Sequence, residues 1–159
     1  MDNLLNLMIE DARLSLEQLA SLTGMTEAAV ADKLDEYKRS GIIAGYQAVV
    51  NYDKLDSEIV SSLIELRISP KRDFGFDEFA ETIARFPEVD SVYLMSGSYD
   101  ILVRVSGANF KDIAMFVARR LSPMDSVLST ATHFILKTYK DSGFLFMDEK
   151  KDERGLTTL

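Results

Sequence analysis

The most constraining feature of this 159-residue chain is a change of hydrophobic period near residue 58. Before it, apolar side chains recur at helical spacing: Leu4, Leu5 and Met8, then Leu16, Leu19 and Ala20, then Val30, Leu34 and Tyr37. That spacing puts each group on one face of a helix, so residues 3–40 predict three short helices. From Glu58 onward Ile64, Leu66 and Ile68 alternate with Glu65 and Arg67, the period of a strand with one wet face. Two periods in separate blocks read as two small domains, and the length leaves room for two, since autonomous domains start at about 50 residues.

Local signals sharpen the first block. Ser15 is placed to cap the second helix, with Gln18 completing a capping box, and Thr26 to cap the third, with Glu27 in its first turn at the positive end of the helix dipole. Between them Thr23-Gly24-Met25 is a turn of the length that helix-turn-helix units use, with glycine where a left-handed backbone is easily reached. Gly41 ends the third helix. The stretch after it, Ile42 to Leu55, reads as a short strand running into a connection.

The second block gives a helix with Phe76, Phe79, Ala80, Ile83 and Phe86 on one stripe, stopped by Pro87. Strands at Val89–Met95 and Tyr99–Val105 follow, joined tightly through Ser96-Gly97-Ser98 as a hairpin. A helix with Phe110, Ile113, Ala114, Val117 and Leu121 inward and a strand from Val127 to Leu136 complete the order strand, helix, strand, strand, helix, strand. This is the ferredoxin-like βαββαβ arrangement. The expected class is α+β: a helix-turn-helix domain at 1–43, a linker strand at 44–57, a ferredoxin-like domain at 58–140 and a charged tail at 141–159. Two helices cover only one face of such a sheet. Tyr93, Met95 and Leu102 are left on the other, which predicts a homodimer packed sheet to sheet.

Composition removes several classes of function. There are no cysteines and a single histidine, His133, so disulfides, thiolate metal sites and a cysteine nucleophile are excluded, and no metal or other cofactor is expected. No nucleophile sits with a base, no carboxylates pair in a recognisable motif and no phosphate loop is present, which argues against an enzyme. No apolar run reaches membrane length and the first residues lack the features of a secretory signal, so the expected location is the cytoplasm. The net charge of −8 opposes generic phosphate binding, and residues 1–50 share the imbalance, with four basic against eight acidic side chains.

The stretches LLNLMIEDARLS, with Arg13 and Ser15, and LEQLASLTGMTEAAVADKLDEYKRSGIIAGY resemble the opening helices and exit strand of the Lrp/AsnC family, the leucine- and asparagine-responsive regulators of bacteria and archaea. Gly41-Ile42-Ile43-Ala44-Gly45-Tyr46 is the most characteristic part, and Ser96-Gly97-Ser98-Tyr99-Asp100 resembles the family's effector-site turn. The resemblance spans nearly the whole chain. It implies a winged helix-turn-helix on double-stranded DNA, joined to a sensor domain that dimerises, assembles further to octamers and binds amino acids or related molecules between dimers. Two departures stand out. The chain begins inside the usual first helix, so that helix should be short, and Asp32 and Glu36 occupy the outward side of the recognition helix, where relatives usually carry basic residues. A more distant branch of the architecture, the sirohaem decarboxylases, uses histidine-bearing motifs that are not evident here.

Two sets of candidate site residues follow. In the first turn of the third helix Thr26, Glu27, Ala28 and Ala29 would meet base edges, with Lys33, Lys38 and Arg39 as the basic residues nearby. The alanines offer only close approach and methyl contacts, so specificity would lean on DNA shape. The plainer reading is a solvated helix with Asp35 paired to Arg39 at i, i+4. In the second block Gly97 and Ser98 would offer backbone donors to a carboxylate, Tyr99 a wall and Asp100 an acceptor for an ammonium group. Thr130 and Thr132 share one face of the last strand and would add hydroxyls. The plainer reading is a hairpin turn and ordinary strand threonines, with His133 structural on the opposite face. A sensor and assembly module without DNA affinity therefore stands beside the DNA-binding regulator.

Overall fold

Three oxygen-bearing side chains start the three N-terminal helices. Asp2 accepts from the Leu4 N–H at 3.2 Å ahead of α1 (Asn3–Glu10). Ser15 and Gln18 exchange bonds at 3.1 and 2.8 Å ahead of α2 (Leu16–Thr23), and Thr26 accepts from the Ala29 N–H at 3.2 Å ahead of α3 (Glu27–Arg39). Each oxygen satisfies a donor that the helix itself leaves unpaired. Gly24 (φ 70°) turns the chain between α2 and α3 in the left-handed region, and Gly41 (φ 76°) turns it away after α3, conformations that cost other residues about 1 kcal/mol or more. Leu4, Met8, Leu19, Val30 and Tyr37 close into a small buried core.

This computed structural model describes residues 2–55, 59–69 and 75–146, which divide into two units between Val49 and Val50. The second unit contains β1 (Val60–Ile68), α4 (Phe76–Ala84), β2 (Val89–Leu94), β3 (Ile101–Gly107), α5 (Phe110–Phe116) with a π-helical continuation at Val117–Leu121, and β4 (Val127–Phe134). The sheet order is β2-β3-β1-β4 with every neighbour antiparallel, the ferredoxin-like arrangement expected. Period two decides the faces. Ile64, Leu66, Ile101, Val103 and Val105 point to the side that Phe79, Ile83, Ile113 and Phe116 of the helices cover, and all are buried. At about 1.5–3 kcal/mol for each fully buried large aliphatic or aromatic side chain, this layer dominates the unit's stability. Leu63, Glu65, Leu102, Arg104, Tyr93, Ala131 and His133 lie on the opposite face, as their cross-strand pairing requires. Tyr93 is 53% exposed there and Met95 36%.

Several expectations need adjusting. Residues 44–51 carry no strand in the single chain, and Tyr52–Lys54 make one 3-10 turn, because an extended segment becomes a strand only when another backbone pairs with it. The β2–β3 hairpin is closed by Met95 N–H to Asp100 O at 2.8 Å, so its loop is the four residues 96–99 rather than a tight three-residue turn. Phe110, expected inward, is 54% exposed and stacks edge-on against Phe134 at 4.8 Å. Ala114 is exposed too, and β4 stops at Phe134, two residues short of Leu136. The expected tail opens with a small hairpin, β5 (Lys140–Asp141) and β6 (Phe144–Leu145), turned by Ser142 (φ 46°) and Gly143 (φ 90°). Residues 147–159 of that tail, Glu58 at the expected domain start, and the basic pair Lys71-Arg72 lie outside the described residues.

Candidate functional site

The reading helix is held from behind by α1 and α2, which fixes its exposed side. Val30 and Tyr37 are buried, so Thr26, Glu27 and Ala28 of its first turn and Asp32, Asp35, Glu36 and Arg39 further along stand in solvent, with Ala29 half-buried. Two of the three basic candidates are occupied. Lys38 Nζ lies 3.7 Å from Asp35 Oδ1 and 6.0 Å from the Tyr46 ring centroid. Asp35 thus pairs at i, i+3 with Lys38 and not with Arg39, which has no ion pair among the described residues. An exposed pair of this kind is worth at most a few tenths of a kcal/mol, so Lys38 can exchange it for a phosphate at little cost.

Lys33 is a different case. It lies one turn from both Val30 and Tyr37, on the side turned toward α1, where its ammonium forms a salt bridge with the Asp2 carboxylate. The same carboxylate accepts the Tyr37 hydroxyl proton at 2.5 Å and caps α1, so one acidic side chain joins the start of α1 to the middle of α3. Donation from Lys33 and then from Tyr37 holds the Asp2 carboxyl down at about 2, and the Asp2 carboxylate in turn raises both Lys33 and Tyr37. Lys33 is therefore neutralised within the fold. Sequence reasoning missed this pairing; the signal available was an Asp directly ahead of the first apolar residues, a capping position that brings a negative charge to a helix start.

Four of the effector candidates, Gly97, Ser98, Tyr99 and Asp100, lie in or beside the loop 96–99. Asp100 is the pin. Its N–H donates to Leu66 O at 2.9 Å, its carbonyl accepts from Met95, and its Oδ2 accepts the Ile68 N–H at 2.8 Å. Arg67 Nε donates to Ser98 O at 2.8 Å, so the loop is tied to the end of β1 from both sides. One Asp100 oxygen is therefore already engaged, which narrows the ammonium-binding role expected of that carboxylate. Gly97 and Ser98 are exposed, Tyr99 is half-buried, and a Cβ at Gly97 would meet nothing within 4 Å, so no contact inside the chain demands glycine there. Thr130 and Thr132 are half-buried opposite Leu66 and Ile64 on the helix-covered side, while His133 faces the other way with its Nε2 3.3 Å from Glu65 Oε1. Because β1 lies between β3 and β4, the loop and the threonines are about two strand spacings, roughly 10 Å, apart in one chain. The fold does not bring them into a single pocket.

The sequence and structure have known counterparts. A profile described as Lrp/AsnC ligand binding domain matches residues 61–145, and one described as winged helix-turn-helix DNA-binding matches residues 3–44. The Bacillus subtilis HTH-type transcriptional regulator YugG is 43% identical over 152 residues, covering 95% of this chain and 92% of its own. The proline dehydrogenase transcriptional activator of Rhizobium radiobacter is 25% identical across 88% of this chain and 89% of its own. Among solved structures, the leucine response regulatory protein of Mycobacterium tuberculosis aligns with a TM-score of 0.74 at 21% identity, over 89% of this chain and 97% of that one. A transcriptional regulator of Neisseria meningitidis in complex with L-Met aligns at 0.70 and 21% identity, over 89% and 93%. The structural likenesses speak to the fold alone.

Proposed function

This chain belongs to the Lrp/AsnC family of DNA-binding transcriptional regulators, and we propose that an amino acid or close relative, held where subunits meet at the loop 96–99, sets how tightly its helix-turn-helix units bind DNA. The observation that carries this reading is the pinned loop. Asp100 and Arg67 hold Gly97 and Ser98 in an exposed position from which backbone donors can meet a carboxylate, with Tyr99 beside them. Thr130 and Thr132 stand two strands away, so they join such a site only if a second subunit supplies one of the two walls. A ligand shared between subunits favours one assembly over another by its differential affinity, typically about 1–3 kcal/mol. The assembly unit is a dimer packed through the open sheet face at Tyr93, Met95 and Leu102, with octamers as the larger form. The working location is the cytoplasm. Among the described residues no helix is long and apolar enough to cross a membrane.

On the DNA side, Thr26, Glu27, Ala28 and Ala29 form the reading turn, Arg39 and Lys38 contact phosphates, and Lys33 supports the helix from behind. Few phosphates are neutralised per unit, so linked units supply the affinity. The outward carboxylates Asp32, Asp35 and Glu36 favour a second reading, an effector-responsive assembly module with little DNA affinity. Fluorescence anisotropy on the duplex upstream of the protein's own gene, at low salt, separates the two. The regulator reading expects saturable binding that tightens when Asp32→Asn and Glu36→Gln are combined. Absence of binding by both proteins would leave the assembly module.

A further inference from the structure

At the far end of β3 from the loop 96–99, about 20 Å along the strand at roughly 3.3 Å per residue, the second unit contains a cleft of about 250 Å³. Its floor is the end of β3, at Ser106 and Gly107, and its walls are Glu88, then Asp112 and Met115 of α5, and Arg119 and Arg120 of the π-helical continuation. Three features set it apart from a packing defect. Glu88 Oε2 is fully buried and has no hydrogen-bond partner, although Ser106 N–H holds the Glu88 carbonyl at 3.2 Å. A buried carboxylate oxygen without a donor has lost its hydration with nothing in return, and native folds seldom leave one unexplained. Neither Arg119 nor Arg120 has a carboxylate partner among the described residues, and the Arg120 guanidinium rests 5.4 Å from the Phe86 ring centroid. Finally, the helix widens at this place. Ser122 N–H bonds to Val117 O at 2.8 Å, a five-residue π turn of the kind that recurs at functional sites. It carries both arginines.

We propose that this cleft is a second small-molecule site, taking a dipolar ligand whose ammonium group meets Glu88 and whose carboxylate meets Arg119 and Arg120. The class is a free α-amino acid or a close analogue. With Asp112, whose Oδ2 accepts from the Asn109 amide at 2.9 Å, also in the lining, two carboxylates balance the two guanidiniums, so a pure anion meets Glu88 and Asp112, a pure cation meets the arginines, and a dipolar ligand satisfies both. The volume is below the roughly 300–1,000 Å³ of sites for drug-sized ligands, which limits the occupant to amino-acid dimensions. Gly107 keeps the floor low: a Cβ there would lie 3.2 Å from Ile113 Cγ1, so α5 packs directly on the strand and the space stays on the Glu88 side. None of this uses the loop 96–99, and the two sites stand or fall separately.

Methionine methyl spectra can watch both places in the intact protein. Met115 lines the cleft, Met95 closes the loop 96–99, and Met124 packs on the core as a fold control. The full chain, labelled with ¹³C at methionine methyls, is titrated with each common L-amino acid, and separately with acetate and methylamine. At least one amino acid should shift Met115 saturably, with acetate and methylamine at least about tenfold weaker. Glu88→Gln, and Arg119→Gln with Arg120→Gln, should each weaken that binding about tenfold or more, with Met124 unmoved. Arginine substitutions at these exposed positions keep the test valid if Glu88→Gln misfolds. The Met115 response should persist in Gly97→Val. No saturable Met115 shift, a shift that survives the arginine variant, or one lost in Gly97→Val would each overturn the second site.

Discussion

The helix-turn-helix unit and the ferredoxin-like unit solve the same problem with different means. The first gathers five buried side chains, Leu4, Met8, Leu19, Val30 and Tyr37, and depends on its helix caps and two left-handed glycines to set the helices at the right places. The second buries twelve residues in one layer between sheet and helices, and its geometry comes from strand pairing across the chain, such as Ile64 with Val103 and Thr132. The difference matters for function. A unit built on caps presents one helix end and can be tuned by single surface charges, whereas a unit built on register places its loops by long-range bonds and couples them through a shared core.

The largest expected effect lies in the register-built unit. Leu66→Ala removes a fully buried side chain at the centre of the sheet and should cost about 2–5 kcal/mol. Urea unfolding followed at Tyr99 and at Tyr37 separately should show the loss in the second unit only. Equal loss in both would mean that the two units fold as one. Next is Gly24→Ala, which strains a left-handed position with open space around it, so the cost is conformational, about 1 kcal/mol, and confined to the first unit. Thr26→Ala should cost a similar amount, about 0.5–2 kcal/mol, by leaving the Ala29 N–H uncapped.

That contrast also explains what could be read in advance. Caps, the Gly24 turn and the helix stripes are local, and Ser15, Gln18 and Thr26 do in the structure what their positions imply. The order of elements was equally legible, because period two and period 3.6 alternate cleanly. What escaped is tertiary: the capture of Lys33 by Asp2 across 30 intervening positions, the engagement of Asp100 by Ile68, and the strand that separates Thr130 and Thr132 from the loop. No spacing rule encodes those. The hairpin at residues 140–145 was within reach, since Ser142-Gly143 is a turn dipeptide between two short extended pieces.

The smallest effect is a pH dependence. Asp2 is held at about 2, below the ordinary carboxylate value near 3.9, so its contribution is fully present above about pH 4 and is lost as pH falls toward 2. Asp2→Asn should flatten acid unfolding of the first unit across that interval and leave the second unit's acid response unchanged. An unaltered acid limb in the variant would show that the Asp2, Lys33 and Tyr37 cluster does not tie α1 to α3.

The central claim is that occupancy at the loop 96–99 is felt by the reading helix. It is tested by measuring the affinity of the full chain for its own upstream duplex, at fixed low salt, with and without each common L-amino acid, in the wild type and in Gly97→Val. The account predicts that at least one amino acid changes the DNA dissociation constant by about 5–150-fold and that Gly97→Val removes this response while leaving ligand-free binding intact. DNA binding that no amino acid alters, or a response of the same size in Gly97→Val, would contradict it.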